Sequence, residues 1–119
     1  DLDPRDLGIP FVTIDALRGG APSENAEVVR RVLDGERGAV RDIVLLNAAA
    51  GMVTFKLAGD ATQVARPLLE RLDEQLTLAA AAIDSGAARA KLSDWVDASA
   101  QLAAEGDAVD ESTVASTTP

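Results

Sequence analysis

The sequence predicts an all-helical chain of about four main helices, and three observations carry that expectation. Residues 43–55 contain no charge and only Asn47 and Thr54 as polar groups, with apolar residues on every side of the helical wheel. Two flanking segments place apolar residues at the three-and-four spacing of one helix face. Glycine and proline punctuate the gaps between these segments.

The lead-in comes first. Pro4, Gly8, Pro10, Gly19 and Gly20 make residues 1–21 irregular, with a short turn of helix at 4–7 after Asp3, an extended piece at 11–14 and another turn at 15–18. Residues 22–33 read as the first helix. Pro22 suits the first helical position, where its missing N–H costs nothing. Ala26, Val29, Val32 and Leu33 share one face, while Glu24 and Glu27 near the start and Arg30 and Arg31 near the end complement the helix dipole. Gly35 ends it in the left-handed position typical of a helix terminus.

After a connector at 36–40, the central helix runs from Ala39 or Val40 to about Leu57, ending before Gly59. Its uncharged core of thirteen residues reaches only about 20 Å at 1.5 Å per residue, short of a bilayer, so it reads as a core helix. Asp60 and Thr62 are candidate caps. Pro67 cannot sit deep in a helix without a loss of about 3 kcal/mol, so the third helix starts near Arg66 and Pro67 and runs to Asp84. Its predicted inner face is Leu69, Leu72, Leu76, Ala79 or Ala80, and Ile83. Ser85 and Gly86 break the chain. A last helix at 87–104 is predicted to turn Ala88, Leu92, Trp95, Val96, Ser99 and Leu102 inward. Residues 1–104 therefore form one helical unit. Residues 105–119, acidic and hydroxyl-rich, hold too little apolar area to fold and are predicted to be a disordered tail.

Composition excludes several function classes. No cysteine is present, so there is no disulfide and no thiolate metal site. No histidine is present, which removes the commonest general base and nitrogen ligand together. The net charge is −9, and four acids (Glu105, Asp107, Asp110, Glu111) crowd the C-terminal end. Nucleic acid and anionic membrane reward clustered positive charge, so neither is an expected partner. The chain begins at Asp1, and no signal peptide or membrane span is visible.

Four places invite a chemical reading, and each has a structural one. Gly19-Gly20 precedes a helix start, where backbone N–H groups can hold phosphate, but no Lys or Ser/Thr completes a phosphate-loop motif, so a tight turn is expected. Asn47 needs partners for its amide inside an apolar helix and reads as a satisfied brace. Asp73-Glu74 and Asp110-Glu111 are adjacent acids, but helix neighbours diverge by about 100°, and Mg²⁺ usually also needs substrate phosphates nearby. Arg41-Asp42 reads as an ion pair or cap at the head of the core helix. No catalytic, cofactor-binding or metal-binding residue is assigned, and no constellation here runs a reaction unaided.

Taken in order, Leu17-Arg18-Gly19-Gly20, Glu24-Asn25-Ala26, residues 32–38 (Val-Leu-Asp-Gly-Glu-Arg-Gly), residues 41–49 (Arg-Asp-Ile-Val-Leu-Leu-Asn-Ala-Ala) and residues 82–88 (Ala-Ile-Asp-Ser-Gly-Ala-Ala) resemble the C-terminal part of anthranilate phosphoribosyltransferase. Asp3-Pro4-Arg5-Asp6-Leu7-Gly8 looks like the opening of that part, and the resemblance covers about residues 1–100. It implies that the covered chain is the C-terminal helical portion of an α/β domain. It implies a cytoplasmic parent enzyme, commonly a homodimer, that moves a phosphoribosyl group from phosphoribosyl pyrophosphate to anthranilate in tryptophan biosynthesis, with Mg²⁺.

The family's glycine-rich phosphate loop, its Lys-His-Gly-Asn segment, its anthranilate-binding Arg and its metal-binding Asp-Glu pair all come earlier in the chain than this stretch, so the 119 residues alone are expected to be inert and to carry no cofactor. Ala21 stands where the family often has Asp, which removes a helix cap, and Gly51-Met52 replaces an Ala-Leu-Tyr-like run. Two other readings compete. One is a related pyrimidine nucleoside phosphorylase, which shares the Ile-Asp-Ser-Gly-Ala type of segment. The other is a free-standing helical interaction module. Helices separated from the sheet they cover expose apolar faces, so self-association is the expectation for the chain by itself.

Overall fold

The computed structural model describes the backbone of residues 2–115 and side-chain surroundings as far as residue 105. Four α-helices follow in order: α1 (Pro22–Leu33), α2 (Ala39–Gly59), α3 (Leu68–Asp84) and α4 (Ala87–Ala115). Short 3-10 turns occupy Pro4–Leu7, Ile14–Leu17 and Ala61–Ala65, and no strand occurs among the described residues.

Local chemistry accounts for most boundaries. Asp3 accepts a hydrogen bond from the Arg5 N–H and opens the first turn, which Gly8 closes at φ 73°. Gly35, at φ 94°, follows α1 in the left-handed conformation expected of it. Asp60 accepts from the Thr62 N–H at 3.0 Å and the Thr62 hydroxyl at 2.6 Å, and so serves as the cap predicted for it. Pro67 sits just outside α3 rather than within it. Gly86, at φ 78°, turns the chain between α3 and α4.

The core lies between α2 and α3. Ala49 and Val53 of α2 meet Leu72 of α3, and Leu7 and Leu76 pack against that cluster. The small Ala49, fully buried, lets the two backbones approach closely. On α3 the buried face is Leu72, Gln75, Ala79 and Ile83. It is turned slightly from the predicted face: Gln75 is buried, while Leu69 is exposed.

Three expectations fail within this chain. On α1 only Val32 of the predicted face is buried, while Ala26 and Val29 are exposed. α2 is not enclosed: only Arg41, Ala49 and Val53 are buried, and Ile43, Val44, Asn47, Ala48, Gly51 and Phe55 are open to solvent. On α4, Ala88 and Leu92 are half-buried, but Trp95, Val96, Ser99 and Leu102 are exposed, Trp95 at 70%. The reason is geometric. At 29 residues α4 is about 44 Å long; it touches α1 and α3, and among the described residues its half-buried positions are Ala88 and Leu92, near its start. The radius of gyration of 20.3 Å, against about 13–14 Å for a compact chain of this length, reflects the same projection.

α4 also continues to Ala115, past the end predicted at Ala104. Residues 105–115 contain no proline, and Ala and Glu are good helix formers, so the composition that lacks a core does not forbid a helix. The remainder of the predicted tail, 116–119, lies outside the described residues.

Candidate functional site

The turn at Gly19-Gly20 is the place that sequence reasoning nominates for an anion, and it is built by the head of α1. The Asn25 side chain spans back to Gly20 and closes the turn twice: its Oδ1 accepts from the Gly20 N–H at 2.9 Å, and its Nδ2 donates to the Gly20 carbonyl at 3.0 Å. Glu24 accepts from the Ala21 N–H at 2.7 Å. That is the returning half of a capping box, whose other half Ala21 cannot supply because it has no acceptor. A Cβ at Gly20 would fall 2.2 Å from the Glu24 Oε2, so any larger residue would push the Glu24 carboxylate aside. The N–H groups an anion would seek at Gly20 and Ala21 are thus already bound by protein oxygen. The loop is the tight turn expected of it. An open depression of about 480 Å³ lies beside it, lined by Leu17, Arg18, Asn25, Val28, Val29 and Val40 among others.

Asn47 is satisfied, though not by a neighbouring loop. Its Nδ2 donates to the Ile43 carbonyl one turn back at 2.8 Å, on an exposed face of α2. Thr54 does the same to the Ala50 carbonyl at 3.0 Å. Both polar residues of the apolar run therefore fold onto their own helix, and the face they share is free of other polar demands.

Arg41 does not pair with Asp42. Its Nη2 reaches Asp84 Oδ1, at the far end of α3, at 2.8 Å, and its side chain is only 4% exposed. Arg89 of α4 pairs with Asp34 just after α1. These two ion pairs tie the end of α1, the head of α2, the end of α3 and the head of α4 into one knot. Separations of 43 and 55 residues hid them from a local reading.

Asp73 and Glu74 both lie on an exposed part of α3. Glu74 takes two hydrogen bonds from the Arg66 guanidinium, at 3.1 and 2.5 Å, and that guanidinium holds its carboxyl below the usual range. Asp110 and Glu111 fall within α4, with side chains outside the described residues. Among the described residues no three carboxylates converge.

By length and composition α2 is apolar enough to cross a membrane. Its Arg41 is buried against Asp84, and Ala49 and Val53 meet Leu72 of α3, while most of the helix lies open.

Comparison with known proteins bears on these open faces. Residues 1–89 match the family model described as the a/b domain of a glycosyl transferase family. The chain is 58% identical over 98 residues to an anthranilate phosphoribosyltransferase of Clavibacter sepedonicus, covering 82% of this chain and 28% of that protein. It is 54% identical over 98 residues to the protein of the same name from Leifsonia xyli, again over 82% of this chain and 28% of that one. For Rhodococcus opacus the identity is 49% over 102 residues, 86% of this chain and 27% of the relative. The chain thus spans little more than a quarter of the length of these relatives. No solved structure matches. With three-quarters of its residues inside the family model, the chain belongs to the glycosyl transferase family, within its a/b domain.

Proposed function

We propose that this chain is the C-terminal helical part of an anthranilate phosphoribosyltransferase, supplying scaffold to an α/β domain whose strands and catalytic groups lie in the rest of the protein. The 58% identity to a relative of that name carries the reading, and the open face of α2 supports it. In the whole enzyme the anthranilate amine attacks the ribose C1 of phosphoribosyl pyrophosphate. A C–N bond forms, the C–O bond to pyrophosphate breaks with its electron pair on the leaving group, and the amine loses a proton. Such chemistry is driven by positioning and charge neutralisation. Mg²⁺ and the residues that hold it belong, on this reading, to the other part of the protein, as does the contact between subunits of a cytoplasmic homodimer. The names of the relatives favour this reading over a pyrimidine nucleoside phosphorylase or a free-standing module.

The test uses the loss of anthranilate fluorescence. The 119-residue chain alone is expected to show no turnover with phosphoribosyl pyrophosphate and Mg²⁺. Fused behind the preceding residues of the Clavibacter sepedonicus relative, in place of the matching 98, it is expected to restore turnover. Turnover by the chain alone overturns the claim that it is inert. A folded chimera that consumes pyrimidine nucleoside and phosphate, and no anthranilate, overturns the assignment.

A further inference from the structure

We propose that α4 is the contact through which two copies of this chain pair, their α4 helices packed side by side in opposite directions. The stripe that carries the proposal begins at Leu92, half-buried near the start of α4, and continues through Trp95, Ser99 and Leu102. Trp95 is 70% exposed and Leu102 68%, with Val96 beside them at 56%. Spacings of three, four and three residues make the narrow seam of a helix pair rather than the broad face that packs on a sheet. In sequence the same alternation reaches Gly106 and Val109, and the helix itself runs on to Ala115. The family model matches residues 1–89, so the exposed part of the stripe lies beyond the stretch that it describes.

Charge selects both the partner and its direction. Arg89 and Lys91, at the head of α4, are the last bases in the sequence. Six acids follow them, and Glu105, Asp107, Asp110 and Glu111 crowd the second half of the helix. A helix is positive at its start and negative at its end, so an isolated α4 carries its charges the unfavourable way round. A second α4 running antiparallel reverses the relation. The acidic half of each helix then lies toward the basic, dipole-positive head of the other. A parallel pair would instead set four acids beside four. Exposure points the same way: residues 93–105 are all exposed, and helices in water draw most of their stability from packing rather than propensity. A two-fold antiparallel contact uses the same patch on both copies and supplies that packing. It is separate from the subunit contact assigned above to the rest of the enzyme. Nor does it rest on the phosphoribosyltransferase reading, since it is argued from the residues of α4.

Sedimentation equilibrium of the full 119-residue chain over a concentration series tests the pairing. A reversible equilibrium between one chain and two is expected. Leu102→Lys, at an exposed position and with a good helix former, is expected to weaken it roughly a hundredfold, tenfold for each of the two side chains lost from the interface. Asp97→Asn, on the opposite side of α4, and Phe55→Lys, on the open face of α2, are expected to pair as the parent chain does. Circular dichroism checks that each variant keeps its helices. Direction is read from spin-label distances, since the chain has no cysteine of its own. An antiparallel pair holds two labels on Ser93→Cys far apart, and mixing in labelled Ala108→Cys adds a shorter distance. A parallel pair gives the reverse order. The proposal is overturned by a single-chain mass throughout the series or by the parallel order of distances. It is equally overturned by full association of a folded Leu102→Lys chain, or by loss of association in Phe55→Lys, which would move the contact to α2.

Discussion

Arg41 shows best how a single side chain organises this molecule. A guanidinium that is almost fully buried needs a counter-charge, and Asp84 provides it from the end of α3. Removing that partner leaves a buried charge unpaired, so Asp84→Ala is expected to destabilise the chain by about 2–3 kcal/mol, less than for a fully enclosed pair because Asp84 is half-exposed. Urea unfolding with an unchanged m-value checks this. The head of α1 offers the opposite case. Ala21 leaves a donor of the first turn without a side-chain acceptor, at φ −61° and ψ 158°, a conformation that suits a capping Asp. Ala21→Asp is expected to stabilise by about 1 kcal/mol. Gly20→Ala is expected to cost about 0.5–1 kcal/mol, because the added methyl displaces Glu24 from the Ala21 N–H. In a Glu24→Ala background that cost should largely vanish, which a double-mutant cycle measures.

At the scale of elements, α3 buries one face as an amphipathic helix should, whereas α1 buries only Val32 of its predicted face and α2 and α4 lie largely open. α1, α3 and the start of α2 have boundaries that proline, glycine and capping residues mark in the sequence. On α4 the predicted inner face is largely open. Its Leu92, Trp95, Val96, Ser99 and Leu102 spacing is that of a buried stripe, and most of it is exposed here. Periodicity reports that a face is apolar, and nothing in it names the chain that covers the face. The exposed Trp95 makes this measurable. Its fluorescence is expected to be that of a water-exposed indole at low protein concentration. A blue shift should accompany any rise in mass by light scattering, as the stripe is buried between copies. An emission maximum independent of mass would show that α4 takes no part in self-association.

For the whole molecule, stability is expected to be modest and sensitive to acid. Among the described residues six apolar side chains are buried, centred on Ala49, Val53 and Leu72. Asp3, Asp60 and Glu74 each have a carboxyl pulled below its ordinary value. Arg5 does this to Asp3, Gln63 and then Thr62 to Asp60, and Arg66 to Glu74. A depressed folded-state value contributes stability that is present above the unfolded value and fades as pH falls through the folded one. Unfolding midpoints are therefore expected to be flat near neutrality and to drop below the ordinary carboxylate values of 3.8 and 4.5. The changes are small for each group because all three are exposed. Thermal unfolding followed by circular dichroism across that range checks the sign.

By itself the sequence determined the helical class, the places where α1 and α3 begin and end, the tight turn at Gly19-Gly20 and the family. All of these depend on residues near one another in the chain, or on an ordered string of short segments. Tertiary structure alone decided that Arg41 belongs to Asp84, that Gln75 is buried, and that α2 and α4 lie open. Those outcomes depend on which distant surfaces meet. Helical spacing encodes the direction a side chain takes from its axis, while burial and charge pairing are properties of whatever stands opposite.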